Sequence, residues 1–316
     1  MAESIRLGIS ACLLGRNVRW NGGHKLDRYL RDTLGAFVQY VPVCPEVEIG
    51  LPIPRETLRL VGSVESPRLV TTKTGIDHTE RMVNWARDRV KALETENLCG
   101  FIFKTSSPSS GMTGVRVYDD KGMPSRRGQG IFARIFMEHF PRTPTTDEKR
   151  ISDARMRENF IEQIFAMKRW RETLAKPRRL GELVEFHTRE KLLLLSHSPS
   201  HHRQMGKLVA AGKQLPVDEL YEQYEALFTG ALQLKPTLRK NINVLQHIMG
   251  YFKKELTPDE KQELIEIMDE YRNGYIPLIV PVTLLNHFVR KYEPPYLRQQ
   301  SYLEPHPAEL QLRNHA

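Results

Sequence analysis

"GFIFKTSSPSSG", residues 100–111, starts as a short apolar run and ends in a polar, serine-rich turn closed by glycine. Two earlier runs end in a similar way: "IRLGISAC" (5–12) and "FVQYVPVC" (37–44) each pass from an apolar segment to a cysteine. Between the runs, "KLDRYLRDTLGAF" (25–37) and "TERMVNWARDRVKALETEN" (79–97) repeat apolar residues at helical spacing, with Thr79 placed to cap the second. Strands alternating with helices predict an α/β domain with a Rossmann-like parallel sheet and right-handed crossovers. Such sheets bind ligands beyond the carboxyl ends of their strands. Cys12, Cys44 and the serine turn are therefore expected at one sheet edge. Cys99 precedes its strand, and five residues of strand span roughly 16 Å. It is expected at the opposite edge, as a buried thiol where helix meets strand.

Around "PRTPTTDEKRISDAR" (141–155) the chain turns polar and proline-bearing, which places a domain boundary near residue 150. Residues 1–150 form the α/β domain on this reading, and 151–316 an all-α domain. Five helical patterns follow the boundary, the last opened by Thr257-Pro258 and closed by Asn273-Gly274. "IPLIVPVTLLNHFVRKY" then reads as a proline-interrupted apolar stretch. The tail from Tyr296 reads as extended, with groups able to stack on or bond a nucleotide.

The 316 residues are 40% hydrophobic and 27% charged, the balance of a folded soluble protein. No apolar run approaches the ~20 residues needed to span a bilayer, and no signal-peptide pattern precedes the first strand. A cytoplasmic protein without a membrane partner is the expectation. The net charge of +9 favours an anionic partner such as nucleic acid. Three cysteines without a CxxC pair exclude a disulfide framework and a zinc knuckle. Any metal site must be assembled from distant segments.

In "VCPE", Val43 to Glu46, a strand-end cysteine, a turn-fixing proline and a carboxylate put a soft ligand beside a candidate base. "ACLLGRNVRWNGGHK" (11–25) adds a second strand-end cysteine with glycine turns and basic residues, but lacks the spacing of a nucleotide-binding glycine loop. Two cysteines at one edge suit an iron–sulfur or soft-metal site, or a redox pair. The serine turn is not a GxSxG elbow, so a serine triad is disfavoured. In the helical half, "SHSPSHHRQMGKLV" (196–209) gathers His197, His201, His202, Arg203 and Lys207 without an HExxH pattern. Phosphate contact is the expectation there, ahead of metal.

At "GISACLLGRNVRWNGGHK", "VPVCPEVEIGLPIPRE" and "FKTSSPSSGMTGVRVY" the first domain resembles the thiouracil desulfidase family. "KLLLLSHSPSHHRQMGKLV" and "NVLQHIMGYFKKEL" in the second resemble the YbgA-like domain. The fusion in this order is similar to the two-domain, RudS-like bacterial desulfidases that convert 4-thiouridine in tRNA to uridine. That resemblance implies a [4Fe-4S] cluster held by three protein ligands with one open iron. Cys12 and Cys44 match two ligands and Glu46 the acidic partner. Ser106, Ser107 and Lys104 would face the substrate, and His197, His201, His202, Arg203 and Lys207 would contact tRNA.

One position departs from the pattern. The third ligand is expected as the cysteine of SPSCG, and here Ser110 occupies that place. Three arrangements stand open: Cys99 as substitute, a different ligand set, or a Cys→Ser replacement that disables the cluster. The alternatives in function are desulfuration of free thiolated bases and a non-catalytic RNA-binding protein.

Overall fold

A computed structural model describes residues 4–314, and the chain divides into two compact units, Met1–Phe160 and Ile161–Ala316. The first unit contains, in chain order, β1 (Ile5–Ser10), β2 (Val38–Val43), α1 (Pro45–Glu48), β3 (Leu58–Val61), β4 (Arg68–Thr71) and α2 (Thr79–Glu94). It continues with β5 (Gly100–Phe103), β6 (Val115–Tyr118), β7 (Pro124–Gly128), α3 (Ile131–His139), β8 (Thr145–Asp147) and α4 (Glu148–Ser152).

The expected parallel sheet is present, in the order β2-β1-β5-β8. Register sets Gly8 opposite Phe101, whose ring stacks 4.3 Å from Phe103 and lies tilted 4.6 Å from Phe136. A Cβ on Gly8 would lie 2.1 Å from that ring, so only glycine lets the aromatic cluster close over β1. Helix α2 is buried on two sides. Ala86, Val90 and Leu93 pack with Val41, Val43, Phe103 and α3, while Met82 packs with Leu60, Leu69, Val115 and Val117.

Those last four residues belong to a second sheet, β4-β3-β6-β7, which the sequence reading did not anticipate. Its strands are four or five residues long, in two hairpins with exposed turns separated by α2 and β5, too short to stand out as a periodic pattern. Other local expectations also shift. Residues 29–36 form a wide turn and a tight one in place of a regular helix, with the Tyr40 hydroxyl donating to the Leu30 carbonyl at 2.6 Å. Thr79 does not cap α2; its hydroxyl accepts from the Leu69 amide at 2.8 Å and donates to Asp77 at 2.5 Å. The polar stretch read as a boundary supplies β8, with Thr146 and Asp147 buried.

The remaining helices are α5 (Ala154–Leu174), α6 (Leu180–His197), α7 (Pro199–Ala210), α8 (Val217–Gln233), α9 (Leu238–Tyr251), α10 (Pro258–Arg272), α11 (Ile279–Tyr292) and α12 (Pro295–Arg298). The α/β unit followed by an all-α unit is the predicted fold class. Thr257 and Glu260 form a reciprocal capping box at the start of α10. Pro281 lies in the first turn of α11, where its missing N–H costs no intrahelical bond, so the apolar stretch forms one helix. The tail beyond Tyr296 corrects the extended reading. Ser301 donates to buried Glu190 at 2.7 Å, and Tyr302 and Arg313 are buried. No helix among the described residues is long and apolar enough to cross a membrane.

Candidate functional site

Beyond the carboxyl ends of β1, β2 and β5 lies a cavity of about 320 Å³, with Cys12, Cys44, Glu46, Lys104, Ser107 and Ser110 in its wall. The strand-end rule of parallel sheets thus brings together segments up to a hundred residues apart. Cys12 sits in the turn Ala11–Leu14 directly after β1, and its carbonyl accepts the amides of Gly15 and Lys25. Cys44 precedes α1, and its amide donates to the Glu48 carboxylate at 3.0 Å. Pro45 opens that short helix and directs Glu46 back toward the thiol. Cys44 Sγ lies 3.5 Å from Glu46 Oε2.

Burial pushes the Cys12 thiol up to about 11, against the pull of the Lys104 ammonium. Burial, reinforced by the Glu46 carboxylate, pushes Cys44 up to about 12. Both are neutral thiols at pH 7, poorly suited to act as unaided nucleophiles. A soft cation bound there would displace their protons.

Glu46 is held on two sides. Ser109 Oγ donates to its Oε1 at 2.5 Å, and the Arg55 guanidinium lies 3.9 Å from its Oε2. Arg55 is itself fixed by donating to the Val18 carbonyl at 2.9 Å. The serine turn is locked from within and from behind. Ser107 Oγ accepts the amides of Ser109 at 3.3 Å and Ser110 at 3.1 Å. The first-turn amides of α3 donate to the turn: Ile131 to the Pro108 carbonyl at 3.2 Å and Ala133 to Ser109 at 3.2 Å. A Cβ on Gly130 would meet the Ser109 carbonyl at 2.5 Å. Gly130→Ala should therefore displace the turn at a cost of about 1–3 kcal/mol. A lowered urea midpoint with unchanged slope would register it; an unchanged midpoint would mean the turn is not packed this way.

The candidate residues sort as follows. Cys12, Cys44, Glu46 and Ser110 share the cavity, with Ser110 only 3% exposed. Ser107 also lines it, but its oxygen is committed to the turn. Ser106 is solvent-exposed at the rim with φ of 58°. Lys104 reaches the cavity wall and pairs with Glu148, which also accepts the Thr105 amide at 2.8 Å. Burial opposes the charge of Glu148, but hydrogen bonds from Lys104 and Thr105 hold its carboxyl below the usual range. Cys99 donates its amide to the Arg6 carbonyl at the amino-terminal edge of the sheet, away from the cavity. Sequence reading missed Ser109, Arg55 and Glu148, and also Trp20, 46% exposed in the cavity lining. Residue type alone does not distinguish Ser109 from its three serine neighbours.

In the helical unit, α7 carries His201 and His202 half-buried, with Arg203 and Lys207 exposed. His197 ends α6 at 0% exposure, 3.5 Å from Glu162 and with Nδ1 2.8 Å from the Leu234 carbonyl. This corrects its expected place on a phosphate-binding surface, because a side chain sealed in the core meets no phosphate. His201 Nδ1 is 2.8 Å from the Ser198 hydroxyl. Burial and then the Lys191 charge lower His202, which favours the neutral ring. A separate hollow of about 410 Å³ joins Lys191, His202 and Arg203 to the stacked Tyr251–Tyr296 pair, whose ring centroids are 5.1 Å apart.

Residues 7–148 match the family model described as 2-thiouracil desulfurase, and residues 191–307 match that described as a protein of unknown function, DUF1722. The uncharacterized protein YbgA of Escherichia coli (strain K12) is 34% identical over 135 residues, covering 42% of this chain and 80% of YbgA. Among solved structures, a [4Fe-4S]-dependent thiouracil desulfidase, TudS, is 29% identical. That comparison covers 47% of this chain and 94% of TudS, with a TM-score of 0.39. The chain belongs to the family of YbgA, and along it a region matching the 2-thiouracil desulfurase model precedes one matching DUF1722.

Proposed function

We propose that the chain is an iron–sulfur-dependent desulfidase that converts 4-thiouridine in tRNA to uridine and hydrosulfide. The observation that carries this reading is one cavity sharing Cys12, Cys44 and a clamped Glu46 at a parallel-sheet edge. Two thiols there fit an iron–sulfur group at two positions, and the third expected position is the Ser110 hydroxyl. Among the described residues no cluster of three His, Cys, Asp or Glu forms a metal site. Cys12 and Cys44 would hold the cluster, with an oxygen at its third corner. When bound, the cluster supplies a soft Lewis acid for the substrate's sulfur.

The chain's own residues do the rest. The cavity volume suits a single pyrimidine. Trp20 in its lining offers an indole face on which the base can stack. Glu46, oriented by Ser109 and Arg55, takes a proton from water as the water oxygen bonds to C4. As the new C4 hydroxyl gives up its proton and becomes the carbonyl, the C4–S bond breaks and sulfur leaves as hydrosulfide with the proton held by Glu46, at unchanged carbon oxidation level. Drawing the base from the tRNA fold costs a few kcal/mol. Phosphate contacts from Arg203, Lys207 and Lys191 would offset that cost.

Anaerobic reconstitution with iron and sulfide, followed by incubation with 4-thiouridine-containing tRNA or free 2-thiouracil, tests the proposal. Loss of the near-ultraviolet thiocarbonyl absorbance of the tRNA supports it. Turnover of the free base alone would shift the substrate, and turnover of neither would overturn the reading. Ser110→Cys, which supplies a third soft donor, is expected to raise bound iron about twofold or more. Unchanged iron content would show that Ser110 does not stand at a ligand position.

A further inference from the structure

The second sheet of the desulfurase domain has one face in the core and one facing solvent. Leu60, Val115 and Val117 point inward, so the alternation of a strand turns Arg59, Arg116 and Tyr118 outward. Arg126 of β7, exposed beside β6, joins them around a hollow of about 610 Å³. The Arg59 guanidinium lies 5.7 Å from the centre of the Tyr118 ring, and its Nε is buried without a hydrogen-bond partner. Neighbouring Arg55 and Arg68 face Glu46 and Asp77, whereas Arg59, Arg116 and Arg126 form no ion pair with a carboxylate among the described residues. The nearby Glu56 carboxylate is taken up by Thr74 and the Lys73 amide.

This hollow runs into the catalytic cavity. Thr57, Leu58, Ser106 and Pro108 line both. Three unpaired cations on adjacent strands, each strand about 4.8 Å from the next, extend over roughly 10 Å. A tyrosine ring stands among them. Spaced guanidiniums beside a half-buried aromatic ring match a polynucleotide backbone whose bases stack as its phosphates pair.

We propose that this face is a track for the RNA backbone, with phosphates on Arg59, Arg116 and Arg126 and a base on Tyr118. It would deliver the target nucleotide to the Cys12–Cys44 cavity. The inference rests on the reading that the thiolated base is carried in RNA. It places RNA recognition in the α/β domain itself, in addition to the helical domain.

The test compares the full chain with an R59Q/R116Q/R126Q variant, binding fluorescently labelled, unmodified tRNA at about 50 to 200 mM salt. Because no thiolated base is present, the result is independent of desulfidase turnover. The variant should lose affinity about tenfold or more. The slope of log affinity against log salt should fall by about 2, at roughly 0.7 per lost single-strand phosphate contact. Unchanged affinity and slope would overturn the proposal. So would equally tight, equally arginine-dependent binding of polyglutamate, which would mark a surface for acidic protein. Should the triple variant misfold by circular dichroism, R126Q alone, at an exposed position, should lower the slope by roughly 0.7, and an unchanged slope would overturn the track.

Discussion

Replacing Glu46 with glutamine is expected to lower desulfidase turnover about a hundred- to ten-thousand-fold, the range for losing a positioned general base. The amide keeps the size of the carboxylate and can still accept from Ser109, so the turn and the Cys44 thiol should stay in place. It cannot accept a proton from water. Single-turnover decay of the thiocarbonyl absorbance measures the effect, and iron and sulfide content provides the control. Slowed decay at unchanged iron content puts Glu46 in the chemistry. A parallel loss of iron would put it in cluster assembly, and wild-type decay would remove it from the mechanism. Substrate affinity should change little, because the lost interaction belongs to the transition state.

The second large effect concerns the helical unit. Glu162 and Arg313 are both almost fully buried, with Arg313 Nη2 donating to Glu162 Oε1 at 2.7 Å. Removing one partner of such a pair leaves an uncompensated charge in the core. Glu162→Gln should cost about 3–5 kcal/mol. Burial opposes ionisation of Glu162, but the Arg313 guanidinium and His197 hold its carboxyl well below the usual range. The stability linked to that depressed value is fully present above the unfolded carboxylate pKa of about 4.3, and is lost as pH falls through lower values. Urea midpoints of the full chain should therefore decline below about pH 4, and less steeply in Glu162→Gln. Identical pH profiles would show that the pair contributes nothing to acid sensitivity. Because Arg313 also donates to the Tyr302 carbonyl at 2.7 Å, the same substitution should loosen the C-terminal tail.

The resemblance and the site geometry meet at Ser110. Its hydroxyl is buried beside that of Ser109, 3.4 Å away. Ser109 points to Glu46, and Ser107 holds both amides of the turn. One polar string thus divides its hydroxyls among three jobs. Cys99, the other thiol considered as a ligand, is bonded to the far edge of the same sheet.

By itself the sequence determined the parallel sheet, the strand-end placement of Cys12, Cys44 and the serine turn, and the helical second half. The physical reason is that these depend on local periodicity and on the rule that parallel strands open their ligand site at one end. It determined the limits of α10 as well, because its capping box and terminal glycine act over a few residues. Tertiary structure alone decided which serine orients Glu46, because adjacent hydroxyls differ only in where a turn docked on α3 points them. It also sent His197 and Arg313 into the core, since only long-range packing supplies Glu162 as their partner. The second sheet and its arginine face belong to the same class. Four short strands without a strong period acquire their meaning only when the β3–β4 and β6–β7 hairpins join through β3 and β6, more than fifty residues apart, and close over α2.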